Sequence, residues 1–197
     1  LFKDVFRVGG GYVLERVNLT DVAGDAPKDV TDFEGVNWLS RIRAFTSFDN
    51  RDNVFNPTKG RTINFGGDMV GGFLGGDQDY YILRAAYTEY LSFRKKHMIE
   101  FQARVSTAQE FGSSPSVPVF DRFYAGGLGT IRGYGYRRVS PKDNDNPVGG
   151  QTLGIVNIDY SFPVPKLDMF RGVVFVDTGF VNPDAYDFGF GDVVVSV

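Results

Sequence analysis

Cysteine is absent from the chain, and His97 is its single histidine. The first absence excludes disulfides and thiolate metal sites. The second argues against a histidine-based metal site or catalytic triad. A large excess of either charge is also missing: the net charge is −3, so no strong basic field invites nucleic acid. No run of about 18 apolar residues occurs, which excludes a membrane-spanning helix. The spacing of the glycines matches no phosphate loop, because no G-x-x-x-x-G-K-[ST] is present. Two Asx-rich stretches, "DNRDN" (49–53) and "KDNDN" (142–146), contain oxygen donors but do not match a calcium-binding EF-hand loop, so no metal site is expected. Pairs of carboxylates can be found anywhere among 24 acidic residues, so they identify no catalytic group.

What is abundant is more informative. The chain has 25 Gly, 19 Phe and 10 Tyr, a mixture that favours strands and tight turns over helices. The dominant period is two. Ile99, Phe101, Ala103 and Val105 alternate with Glu100, Gln102, Arg104 and Ser106, and Val156, Ile158, Tyr160 and Phe162 alternate with Asn157, Asp159 and Ser161. Strands are predicted at 3–18, 38–50, 61–73, 79–93, 96–108, 151–163, 170–179 and 189–197. The connections 56–60 and 94–97 read as tight hairpin turns, whereas 19–37 and 109–150 are long. Short turns at one end and long loops at the other are the habit of outer-membrane barrels. Trp38, Phe48, Tyr81, Phe93 and Phe101 fall near strand ends on the apolar face, as aromatic girdles do. The polar face carries Arg7, Arg41, Arg43, Arg84 and Arg104 together with Glu15, Asp49, Asp68 and Glu100, which reads as an ordinary charge-balanced lumen. The expected fold is all-β, an antiparallel transmembrane β-barrel; the pattern alone also leaves a soluble all-β sandwich or barrel open. Both ends of the chain fall inside strand-like runs, which reads as a piece of a larger barrel.

One segment stands apart. "FDRFYAGGLGTIRGYGYRRVSPKD" packs glycines, aromatics and arginines between two strands. With the following "VGG", "LGIVNIDYSFPV" and "RGVVFVDTGFV", and with the upstream "SFDNRDNVFNPTKGRT", it resembles the outer-membrane barrels of the BamA family of assembly factors. The tetrapeptide "IRGY" (Ile131, Arg132, Gly133, Tyr134) is a weak motif alone; four ordered motifs at consistent spacing are strong. The resemblance implies about eight strands of a sixteen-stranded barrel, roughly the seventh to the fourteenth. The POTRA domains and the lateral seam of the family would lie outside residues 1–197.

The resemblance also implies a role for the loop 109–150. In the family it folds back into the lumen, and its arginine pairs with inward acidic residues. Here the arginine falls on Arg132 and the acids on Asp159 and Asp177. Period two independently places Asp159 on the polar face but is less decisive for Asp177, which shares parity with Val173 and Phe175. An arginine fork suits paired carboxylates, and such a pair can fix one conformation of a long loop. Gly126, Gly127, Gly129 and Gly133 would let the loop double back, while Phe120, Phe123 and Tyr124 would pack at its base. The bland readings are a solvated loop arginine, a generic lumen acid at Asp159 and a turn-forming acid at Asp177 before Gly179.

The function implied is that of a non-enzymatic insertase of the bacterial outer membrane, needing no cofactor. Its partners would be unfolded outer-membrane protein clients, assembly lipoproteins and outer-membrane lipid, with no nucleic acid. Alternatives are a two-partner secretion transporter or autotransporter-assembly relative, and a passive pore or structural barrel.

Overall fold

The computed structural model describes residues 5–93, 96–166 and 170–197. Residues 3–4 of the first predicted strand and 94–95 of the predicted turn 94–97 lie outside them. Seven long strands follow one another as an antiparallel meander: β1 (Phe6–Leu19), β2 (Gly35–Asp49), β3 (Gly60–Val70), β4 (Tyr80–Phe93), β5 (His97–Glu110), β8 (Thr152–Pro163) and β9 (Arg171–Asn182). A two-residue ribbon, β6 (Lys142–Asp143) with β7 (Asn146–Pro147), interrupts the long loop, and β10 (Val194–Ser196) closes the series. The main sheet has the order β1-β2-β3-β4-β5-β8-β9-β10, so each strand pairs with its neighbours in sequence. Lengths of 11 to 15 residues suffice to cross a bilayer as tilted strands.

The two faces differ as period two predicts. One carries exposed apolar side chains with no cover, among them Tyr12, Leu14, Ile42, Phe65, Leu83, Val105, Ile158 and Val174. The other carries the charges and the long loop. Register lines up its residues across strands: Arg43 opposes Asp68, which opposes Ile82, which opposes Ala108. Farther along, Glu100 opposes Asp159, which opposes Phe175, and Asn157 opposes Asp177. This settles the parity of β9: Phe175 and Asp177 face the loop.

Under the loop the inner face is drier than a charge-balanced lumen. Leu39, Val70, Tyr80, Ile82, Ala108 and Val117 form one fully buried cluster, with Phe120 and Phe123 packed against it. Ala125, Ile131, Val139, Leu153, Ile155 and Val181 form a second. The loop thus supplies the apolar surface that the inner wall needs at this end.

Several boundaries depart from the sequence reading; β2 starts at Gly35 rather than 38 and β9 runs to Asn182 rather than 179. Strand β3 ends at Val70 rather than 73, because Gly71 and Gly72 turn to positive φ and open a 3₁₀ turn, Gly72–Leu74. The long connection 19–37 contains a one-turn helix, Lys28–Thr31. The last strand starts at Val194 rather than 189. Residues before it are diverted by Asn182, whose amide donates to the Asp187 and Gly189 carbonyls at 2.9 and 3.0 Å. They lay aromatics on the apolar face: the Tyr186 hydroxyl meets that of Tyr81 at 2.8 Å, and Phe190 packs edge-on against Phe180.

The Asx-rich stretch 49–53 spends its carboxylates on its own turn. Asp49 pairs with Arg51 at 2.7 Å, and Asp52 accepts from the Thr58 and Lys59 amides. The Thr58 hydroxyl bond, above all, holds the Asp52 carboxyl well below the usual carboxylate range. Asn144 and Asp145, both at positive φ, make the two-residue turn of the β6–β7 ribbon.

Candidate functional site

The loop between β5 and β8 doubles back over the inner face. Two bridges frame it: Phe123 with Gly150, and Ala125 with Val139. Between them the chain reverses in a tight turn, in which Gly126 N–H donates to the Thr130 hydroxyl at 2.8 Å and Gly127 N–H to the Ile131 carbonyl at 3.1 Å. Gly126, Gly127 and Gly133 sit at positive φ, a conformation available to glycine at little cost. Gly129 does not; it adopts an ordinary conformation with open space where a side chain would go. Its contribution is its carbonyl, which accepts from Arg104 at 3.0 Å.

This turn aims the tetrapeptide at the wall. Ile131 is fully buried in the second apolar cluster and anchors the backbone. Arg132 next to it spreads its fork between two strands. Its Nε and Nη2 donate to Asp177 at 2.7 and 2.6 Å, and its Nη2 and Nη1 donate to Asp159 at 2.5 and 3.2 Å. Its backbone N–H adds a third bond to Asp177 at 2.8 Å. The guanidinium also lies 3.8 Å from the Phe175 ring centre, in cation–π contact. Asn157 completes the group by donating to Asp177 at 2.8 Å and to the Thr130 carbonyl at 2.7 Å. Tyr134 is more loosely held, with its hydroxyl 3.4 Å from the Val195 carbonyl.

The structure therefore brings together Arg132, Asp159 and Asp177, and separates their weights. Asp177 is wholly buried and takes bonds from three groups; Asp159 is 31% exposed. Two carboxylates this close repel unless a cation lies between them, and the arginine fork supplies that cation in bidentate geometry to each strand. The arrangement fastens a loop tip to β8 and β9.

A second cluster joins charges of the polar face to the base of the loop. Arg41, Arg43 and Arg84 all reach Asp68, at 3.0, 2.9 and 3.2 Å. Asp121, from the base of the loop, accepts from Arg41 at 2.5 Å and from the Tyr80 hydroxyl. Arg41, Asp68 and Tyr80 are almost fully buried. The sequence placed Arg41, Arg43, Arg84 and Asp68 on one face, but nothing periodic marks Asp121, which lies in a loop.

A third contact fixes the neighbouring loop. Arg122 donates to both oxygens of Asp29 at 3.0 and 3.2 Å, beside a Phe33–Phe120 edge contact at 6.3 Å. The hydrogen bond from Arg122 holds the Asp29 carboxyl below its ordinary value of 3.8. Stability from a depressed carboxyl is present above the unfolded pKa and lost as pH falls through the folded one. Proteolysis within 20–34 is accordingly expected to stay constant from neutrality to about pH 5 and to rise only below the ordinary carboxylate range. Asp29→Asn should abolish that step. Because Asp29 is 45% exposed, the effect should not exceed about 1 kcal/mol.

The chain is similar to known proteins in sequence and in fold. Residues 4–193 match the model of the Omp85 superfamily domain. The chain is similar to the outer membrane protein assembly factor BamA of Nitratidesulfovibrio vulgaris, with 34% identity over 188 residues, covering 94% of this chain and 24% of that protein. It is 26% identical over 195 residues to BamA of Neisseria meningitidis, covering 89% and 24%. A SAM50-like protein of Schizosaccharomyces pombe is 29% identical over 139 residues, covering 66% of this chain and 29% of that protein. The chain thus spans about a quarter of the length of the two BamA relatives. Among solved structures, BamA from Haemophilus ducreyi lacking POTRA domains 1–3 superposes with a TM-score of 0.73 at 20% identity, covering 89% of this chain and 38% of that one. A family match over nearly the whole meander, an open antiparallel sheet of barrel type and a bare apolar face agree: the chain belongs to the Omp85 superfamily, as part of a BamA-type β-barrel of the bacterial outer membrane.

Proposed function

We propose that this chain is a wall segment of an insertase barrel that helps outer-membrane β-barrel proteins fold and insert, and that Arg132 with Asp159 and Asp177 is its conformational lock. The loop-bearing face is the lumen, and the loop 109–150 is its plug. The observation that carries this reading is the fork of Arg132, which binds both carboxylates on adjacent strands while its own N–H binds the buried one. A loop tip bound this firmly to one side of the wall would keep one barrel shape while clients pass.

The barrel works without bond-making chemistry or cofactor. Its partners are unfolded clients, assembly lipoproteins and bilayer lipid. A strand edge can template an incoming strand by backbone hydrogen bonding, with no nucleotide required. The test is reconstitution of the full-length protein in liposomes. A urea-denatured porin should fold faster there than in empty liposomes, with no nucleotide present. Equal rates would contradict the insertase reading, and steady large conductance would favour the pore.

A further inference from the structure

We propose that Asp121 is a positioning residue which, with Arg41 and Tyr80, makes the loop a two-ended strut setting the curvature of the barrel wall. The two ends of one loop segment bind far-apart strands with opposite polarity. At the tip, a loop cation (Arg132) grips wall anions on β8 and β9. At the base, a loop anion (Asp121) grips a wall cation on β2 and a hydroxyl on β4. Each end is backed by its own apolar cluster: Val117, Phe120 and Phe123 against Leu39, Val70 and Tyr80 at the base, and Ile131 against Leu153, Ile155 and Val181 at the tip.

From β2 to β9 the sheet order crosses β3, β4, β5 and β8. At about 4.8 Å per strand that is an arc of about 24 Å. The eleven peptide units from Asp121 to Arg132 reach at most about 36–40 Å, so the segment can span the arc but has little slack once its glycine turn is made. Three residues before Arg132, Arg104 of β5 donates to the Gly129 carbonyl and ties the strut to the strand beneath it. A segment pinned at both ends of an arc fixes its chord. Strands joined only by hydrogen bonds can still flex in twist and coil; the strut removes that freedom for six of them.

The base also has an inner brace. Arg41 is held from behind by Asp68, and Asp68 is held in turn by Arg43 and Arg84. Arg41 therefore cannot follow the loop away from the wall without breaking a buried ion pair, which makes the anchor stiff. Asp121 itself is the part of this group that belongs to the loop, so it is the residue whose loss detaches the strut while leaving the wall cluster in place.

The test reads distance, not assembly. In the full-length protein, spin labels at Ile42 on β2 and Val176 on β9, both exposed on the outer face, report the chord by pulsed electron resonance in bilayers. The unsubstituted loop should give one narrow distance peak. Asp121→Asn should lose that peak to a broad distribution, Asp121→Glu should restore it, and Arg132→Ala should broaden it as Asp121→Asn does. An unchanged narrow peak in Asp121→Asn would overturn the strut. If Asp121→Asn does not insert, Tyr80→Phe, which deletes only the hydroxyl, decides the matter: partial broadening supports the strut and an unchanged peak overturns it. The proposal is independent of the insertase reading, since broadening with normal client folding would leave the strut standing and remove the function assigned to the lock.

Discussion

Arg132→Ala is expected to release the loop tip at a cost of about 3–5 kcal/mol, the range seen when one partner of a buried ion pair is removed. Client assembly should fall to near background, while the barrel itself still inserts. The size follows from what is left behind. Asp177 would remain fully buried next to Asp159, with only Asn157 as a side-chain donor. Arg132→Lys should restore little, because an ammonium cannot serve two carboxylates on adjacent strands in forked geometry. The acids should be unequal. Asp177→Asn should approach the effect of Arg132→Ala, whereas Asp159→Asn should cost clearly less, since Asp159 is partly exposed and lacks the added bonds that Asp177 takes from Asn157 and the Arg132 N–H. Protease cleavage within 126–136 in intact membranes measures the release, and heat-modified mobility of a porin client measures assembly.

The second large effect is expected at Gly126. An alanine there would adopt φ near +103° and would place its Cβ 2.3 Å from the Gly135 carbonyl oxygen. Strained backbone alone costs on the order of 1–3 kcal/mol, and a clash with main chain cannot be relieved by a rotamer change. The turn that aims Ile131 and Arg132 should open, so Gly126→Ala should reproduce the Arg132→Ala phenotype without touching any charge. Gly129→Ala, two residues beyond Gly127, is the control. It meets no atom within 4 Å and should change stability by no more than about 0.5 kcal/mol. Equal effects at the two glycines would show that the turn does not position the arginine.

These contrasts mark where sequence is legible and where it stops. Strand existence and face were readable because alternation is a local signal: Asp159 follows from its neighbours Asn157 and Ser161 alone. Strand ends were less so, because Gly71 and Gly72 end β3 by backbone conformation rather than by polarity. The side of Asp177 could not be read from β9, whose run of valines and Phe175 looks apolar on both faces. The physical reason is that Phe175 faces inward to stack on Arg132. The four glycines look alike in sequence, yet three carry positive φ and Gly129 does not. Asp121 was invisible, since its partners Arg41 and Tyr80 are 80 and 41 residues away and no period links a loop to a wall. The pairing of Arg132 with Asp159 and Asp177 is legible only through family resemblance; its weighting toward Asp177 comes from burial, which sequence does not display.

The most direct test of the central claim is a double-mutant cycle between Arg132 and Asp177 in the full-length protein, with the free energy of loop release as the readout. If the fork holds the tip to the wall, Arg132→Ala and Asp177→Ala together should cost only about 1–2 kcal/mol more than the larger single effect, a coupling of about 2–3 kcal/mol. Additive effects, with a coupling within about 0.5 kcal/mol of zero, would mean that the two residues act separately and that the loop is held by something else.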